Sequence, residues 1–138
     1  MELSFAKLHG LGNDFVFIDD RDRALKLTDA QVSYLCDRHF GIGADGVILV
    51  RPATSEEGDG YMHYINADGT LAQMCGNGVR CFAKYLVDRE LADVASGHLL
   101  ADTLAGPRPI AFSVDAGGKM TEATVNMGAP ILDPALVP

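Results

Sequence analysis

Residues 78–90 read as a helix whose polar positions fall on a single line. Arg80, Lys84 and Asp88 recur every fourth residue, so they share one narrow stripe on which Lys84 and Asp88 can pair. Val79, Cys81, Phe82, Ala83, Tyr85, Leu86 and Val87 cover the rest of the girth. A helix apolar over most of its circumference cannot simply lie on a surface; it has to be surrounded. Whatever else the chain does, it must supply a wall that curls around this helix.

The rest of the sequence supplies strands for that wall. Residues 3–8 read as a strand, and the turn residues of His9-Gly10-Leu11-Gly12-Asn13-Asp14 break it. Phe15-Val16-Phe17-Ile18-Asp19 is a second strand, apolar on both faces and therefore buried, so GLGND sits at the bend of a hairpin. Thr28 and Gln31 form a capping-box signature. Val32, Leu35, Cys36 and His39 then keep helical spacing, with Gly41 as the residue that ends the helix in the left-handed conformation. Residues 47–50, 61–66, 99–101, 110–114 and 121–126 read as further strands, with turns at 67–69 and 115–119. Strands outnumber helices and short turns join most of them. The fold class is α+β, with a mostly antiparallel or mixed sheet curled around a central helix.

The stretch entering that helix is AQMCGNGVRC, residues 72–81. The first amides of a helix have no intrahelical partner, and the helix dipole places partial positive charge on them. A thiol in such a place can titrate in the range of about 3.5–7.5, against about 8.5 for a free one. Gly76 and Gly78 remove side chains, so a carboxylate can approach the bare amides. Cys75 is thus positioned to be a base beside an anion-binding nest. The same residues also describe a tight turn with Cys75 as a small apolar filler. Cys36 and Cys81 sit within helices on apolar faces and read as core.

Charge and length exclude several classes. With 11 Lys and Arg against 19 Asp and Glu, the net charge of −8 argues against a nucleic-acid partner, which needs a basic face, and against an anionic membrane surface. No run approaches the roughly 20 apolar residues of a membrane span. MELSFAKLHG has no basic segment followed by an apolar block, so no signal peptide is expected and the cytoplasm is favoured. Three cysteines without an export signal argue for reduced thiols rather than a disulfide framework. A chain of 138 residues is expected to form one domain, burying roughly 70% of its unfolded surface.

Five segments, in order, carry a resemblance. They are KLHGLGNDFVFID (7–19), RHFGIGADGVILV (38–50), YINADGTLAQMCGNGVRCFAKYL (64–86), DTLAG (102–106) and VNMGAP (125–130). Together they resemble the diaminopimelate epimerase family, and HGxGNDF combined with NADGxxxxMCGNGxRC is highly specific to it. The resemblance implies a pyridoxal-independent isomerase with no cofactor and no metal. Such an enzyme inverts one α-carbon of LL-2,6-diaminopimelate to the meso form, for lysine and cell-wall synthesis. Two cysteines act from opposite faces of the substrate, one removing the α-proton and the other delivering one. Cys75 matches the first of them. Gly76 and Asn77 match the carboxylate-binding amides, and Asn13 and Asn66 match side chains that contact substrate. Taken alone, both of those asparagines read as turn residues. Some members carry Gln at the position of Gly46; glycine cannot make that contact, so no role passes to it.

Family members are about twice as long, with two similar halves facing a cleft and a homodimer implied for the full-length enzyme. Residues 1–138 then correspond to the N-terminal lobe, with about 120–138 as the strand and linker toward an absent C-terminal lobe. That lobe supplies the second cysteine, so this chain alone is expected not to racemise, and its uncovered faces are expected to self-associate. The alternatives are a proline racemase-like or phenazine-biosynthesis isomerase-like enzyme. Other classes are a Cys–His hydrolase, for which the four histidines lack a nucleophile signature, and a non-catalytic carboxylate- or metal-binding module. Cys36-x-x-His39 is half of a zinc pattern.

Overall fold

The computed structural model describes residues 2–137. In chain order its elements are β1 (Ala6–Gly10), β2 (Asn13–Asp19), α1 (Asp29–Cys36), β3 (Gly46–Arg51), β4 (Gly60–Asn66), α2 (Gly76–Asp88), β5 (His98–Thr103), β6 (Gly106–Val114) and β7 (Met120–Val125). The strands form one sheet whose spatial order repeats the chain order. Each helix is a crossover between parallel neighbours: α1 joins β2 to β3 and α2 joins β4 to β5. The remaining neighbours are antiparallel.

The continuous apolar runs of β2 and β3 follow from burial on both faces. Phe15, Phe17, Ile48 and Val50 point to the concave side and join the core around α2. Val16, Ile18, Val47 and Leu49 point to the convex side, where Val32 and Cys36 of α1 cover them. Alternation at period two sends one half of each strand to each core.

The enclosed helix expected from its narrow polar stripe is present. Val79, Phe82, Ala83, Leu86 and Val87 are 0–1% exposed, and α2 packs on β1, β2, β5 and β7. Along the stripe, Lys84 pairs with Asp88 at 2.8 Å and donates to the carbonyl of Met120 in β7. The sheet therefore wraps the helix almost completely, leaving a seam of about 570 Å³ between β1 and β7, floored by Arg80, Cys81 and Lys84.

The Thr28–Gln31 capping box forms as read. The end of α1 differs from the reading. The helix stops at Cys36, His39 lies beyond it, and the left-handed glycine is Gly43 rather than Gly41. The amides of Ile42 and Gly43 both donate to the carbonyl of Leu35, which folds the chain back over the helix end. That return presses Gly41 onto the helix: a Cβ there would lie 1.8 Å from the carbonyl oxygen of Tyr34. Gly41 serves close approach, and Gly43 serves the turn.

Candidate active site

Three strand ends and one helix start share a rim of the sheet. Gly46, at the start of β3, pairs with Phe15 on one side and with Asn66 on the other. Asn13, Asp45 and Asn66 therefore stand at neighbouring strand ends. The β1–β2 hairpin turns through Leu11 and Gly12, at φ 54° and 85°. Two successive positive φ values make a two-residue turn of the primed kind that fits strand twist. Glycine takes this freely; Leu11 takes it at a cost in strain, with its side chain 90% exposed.

Cys75 is the N-cap of α2, in extended conformation. Its Sγ accepts from the Gly78 amide at 3.4 Å, which places the sulfur over the first turn. The Asn13 Oδ1 lies 3.5 Å from the same sulfur and also accepts from Asn77 Nδ2 at 3.2 Å. Asn77 in turn accepts from Arg80 through its Oδ1. Gly10 makes the approach feasible, since a Cβ there would sit 3.2 Å from the Asn77 Cβ. Beside these groups a pocket of about 520 Å³ opens, lined by Cys75, Gly76, Asn77, Arg80, Thr124 and Met127 among others. A Cβ on Gly76 would meet nothing nearer than Met127 at 3.8 Å, so the helix start is open on that side. The Gly76 and Asn77 amides occupy the first helical positions, where no intrahelical acceptor exists.

Behind Asn13 lies a charged cluster that no local sequence pattern marks. Asp14 accepts from Arg38 at 2.8 and 3.1 Å and from Lys7 at 2.7 Å. The Arg38 guanidinium, helped by Lys7, holds the Asp14 carboxyl well below the usual carboxylate range, against the opposing effect of burial. Asp45 accepts from Asn13 Nδ2 at 2.8 Å, from the Asp14 amide at 3.0 Å and from Arg38 at 3.2 Å. These partners come from segments far apart in the chain, and no local periodicity announces them. Their signal was adjacency, since Asp14 follows Asn13 and Asp45 precedes Gly46.

The structure thus brings Asn13 against Cys75 and Asn77, and places Cys75, Gly76 and Asn77 on the wall of one pocket. Asn66 shares the rim but turns its amide locally, donating to Thr70 Oγ1 at 3.1 Å. At Gly46 a Cβ would lie 2.4 Å from Tyr64 Cε2, so the Tyr64 ring fills the space a side chain would need. Burial pushes the Tyr64 phenol up to about 12, with the proximity of Cys75 adding to the effect. Cys36 and Cys81 are both buried. Burial raises the Cys36 thiol and pushes Cys81 up to about 11. Among the described residues, no group of three or more His, Cys, Asp or Glu is gathered as a metal site, and no helix is long and apolar enough to cross a membrane.

A sheet rolled around one helix is a fold shared with several solved structures. A probable proline racemase from Agrobacterium radiobacter superposes with a TM-score of 0.71 at 14% identity, over 91% of this chain and 42% of that one. A hydroxyproline epimerase from Agrobacterium vitis gives 0.70 at 15% identity, over 89% of this chain and 40% of that one. A Bacillus anthracis protein of the PhzF phenazine-biosynthesis family gives 0.56 at 22%, over 86% and 37%. The architecture is of the same fold class as these proteins, matched over 42% and 40% of the first two chains. Within that class the sequence is decisive: the diaminopimelate epimerase family model matches residues 5–132, and the chain belongs to that family. Among its relatives, the diaminopimelate epimerase of Leptospira biflexa is 41% identical over all of this chain and 48% of its own length. That of Burkholderia thailandensis is 46% identical over all of this chain and 46% of its own. That of Thermosynechococcus vestitus is 48% identical over 96% and 45%. The chain spans about half the length of the curated relatives it matches.

Proposed function

We propose that this chain carries one face of the active site of a cofactor-independent diaminopimelate epimerase, with Cys75 as one of two proton-transferring thiols. The observation that supports this reading is the placement of the Cys75 sulfur over the first turn of α2, beside an open pocket and the amides of Gly76 and Asn77. A substrate carboxylate lying on those amides meets partial positive charge and unshared N–H donors. Its α-carbon then lies within reach of the sulfur.

The step balances as a proton transfer. The Cys75 thiolate takes the α-proton and becomes a thiol, and the C–H electron pair moves into the carboxylate group. Oriented amides stabilise that developing charge better than mobile water does, because their dipoles are already aimed. Asn13 and Asn66 recognise polar groups of the substrate without adding net charge near the thiolate. A second acid, from outside residues 1–138, returns a proton to the opposite face. The reaction serves lysine and peptidoglycan precursor synthesis in the cytoplasm. A proline racemase-like specificity would use the same fold; membership of the diaminopimelate family and identities of 41–48% across this chain favour the diamino diacid.

The test follows α-proton exchange from solvent deuterium and LL-to-meso conversion. A chain of the relatives' full length is expected to lose at least about a thousandfold in kcat on Cys75→Ala, while the 138-residue chain alone gives no conversion. Substantial turnover by the Cys75→Ala enzyme overturns the proposal.

A further inference from the structure

We propose that Asp45, braced by Arg38, is a positioning residue that locks the orientation of the Asn13 amide, so that its oxygen rather than its nitrogen faces Cys75 and Asn77 at the start of α2. An amide side chain is nearly symmetric in shape, and its neighbours decide which end points where. A carboxylate is an acceptor only. Asp45 Oδ2 lies 2.8 Å from one end of the Asn13 amide, so that end must be the NH2 group. The same oxygen accepts the Asp14 amide at 3.0 Å, and the other carboxylate oxygen takes Arg38 at 3.2 Å. Arg38 is itself anchored on Asp14 at 2.8 and 3.1 Å. The carboxylate cannot swing away without losing three charge-assisted or backbone bonds.

The consequence lies at the other end of the amide. Asn13 Oδ1 is left to accept from Asn77 Nδ2 at 3.2 Å and to face the Cys75 sulfur at 3.5 Å. Asn13 is therefore committed as an acceptor. It favours a proton-bearing or cationic group beside the Cys75 sulfur, such as an α-ammonium, and disfavours a second carboxylate there. Its bearing on catalysis rests on the epimerase reading; the orientation itself does not.

The test uses the 138-residue chain and reads the charge preference of Cys75. Two methanethiosulfonates, one cationic (2-aminoethyl) and one anionic (2-sulfonatoethyl), form a mixed disulfide with the thiolate and release a sulfinate. Their rate ratio at Cys75 is followed by peptide mass spectrometry. Asp45→Asn keeps the shape but frees the Asn13 amide to flip, and the cationic preference is expected to fall. Because the substitution also removes a charge, it is repeated in the Asn13→Ala background. The fall is expected to be about threefold or more larger when Asn13 is present, as a coupled pair requires. Equal falls in both backgrounds, or no fall, overturn the proposal. A second measurement needs no variant. In the unsubstituted chain the Asn13 Nδ2 protons should show a nuclear Overhauser contact to the Asp14 amide proton, since both point at one oxygen of Asp45. Contacts to the Cys75 β-protons in its place overturn the assignment. Neither readout involves turnover, so failure here leaves the epimerase reading standing, and the reverse also holds.

Discussion

Cys75 and Cys81 lie less than two turns apart on one helix and meet opposite surroundings. Cys75 caps the helix at the mouth of a pocket, half-buried, whereas Cys81 is 4% exposed among core side chains. Desolvation penalises the thiolate at Cys81 and pushes its pKa up to about 11, as it pushes the Tyr64 phenol up to about 12. Both groups are raised on folding. Their contribution to stability is therefore fully present below the unfolded values of about 8.5 and about 10, and is lost as pH rises through the folded ones. The urea midpoint is expected to hold near neutrality and to fall between about pH 9 and about pH 12, with Cys81→Ala reducing the lower part of the fall, to which the buried Cys36 also contributes. A midpoint unchanged to about pH 11 would contradict the burial argument. The contrast between these two thiols was legible in the sequence, because one preceded a glycine-flanked helix start and the other lay on an apolar face. The clamp on Asn13 was not. Arg38 and Asp45 lie seven residues apart, but they sit 24 and 32 residues from Asp14 and Asn13, and only folding brings the two segments together.

At the scale of elements, α2 was the most legible part of the chain. Three polar residues at fourfold spacing left no exposed face to spare, and the sheet answers by touching it from four strands. Phe82 sits at the middle of that contact, 0% exposed. Phe82→Ala is expected to destabilise the chain by about 3–5 kcal/mol, from lost transfer energy and the cavity left behind. Equilibrium urea unfolding measures it, and a loss below about 1 kcal/mol would mean that the helix is not the central packing element. The strands of β2 and β3 were legible for the same reason, since runs apolar at every position admit no solvent face. The end of α1 was not, because two glycines in GIG compete for the turn and only the fold-back onto Tyr34 and Leu35 decides between them. The mostly antiparallel, mixed sheet is present as read, with four of its six pairings antiparallel and the two parallel ones flanking the helices. Both helices turn out to be crossovers, and a crossover makes its flanking strands parallel.

At the scale of the whole molecule, the sheet rolls around α2 without closing. Among the described residues, β1 and β7 each have a pairing partner on one side only, and they face each other across the seam floored by Arg80, Cys81 and Lys84. Free strand edges recruit other strands. The 138-residue chain is expected to form concentration-dependent dimers or larger species, read by light scattering; a monodisperse monomer at high concentration would show that the edges are protected. The strand order holds one more consequence. Because every strand lies next to its predecessor, none has to be threaded between two others already in place. The ribosome therefore releases the strands in the order in which the sheet needs them. Each new one docks on the growing margin, and the α2 helix has β1 and β2 to lie on while the side that meets β5 and β7 stays uncovered until the last three strands fold over it. The interval between its emergence and that of β7 is when a chaperone has most reason to hold this chain.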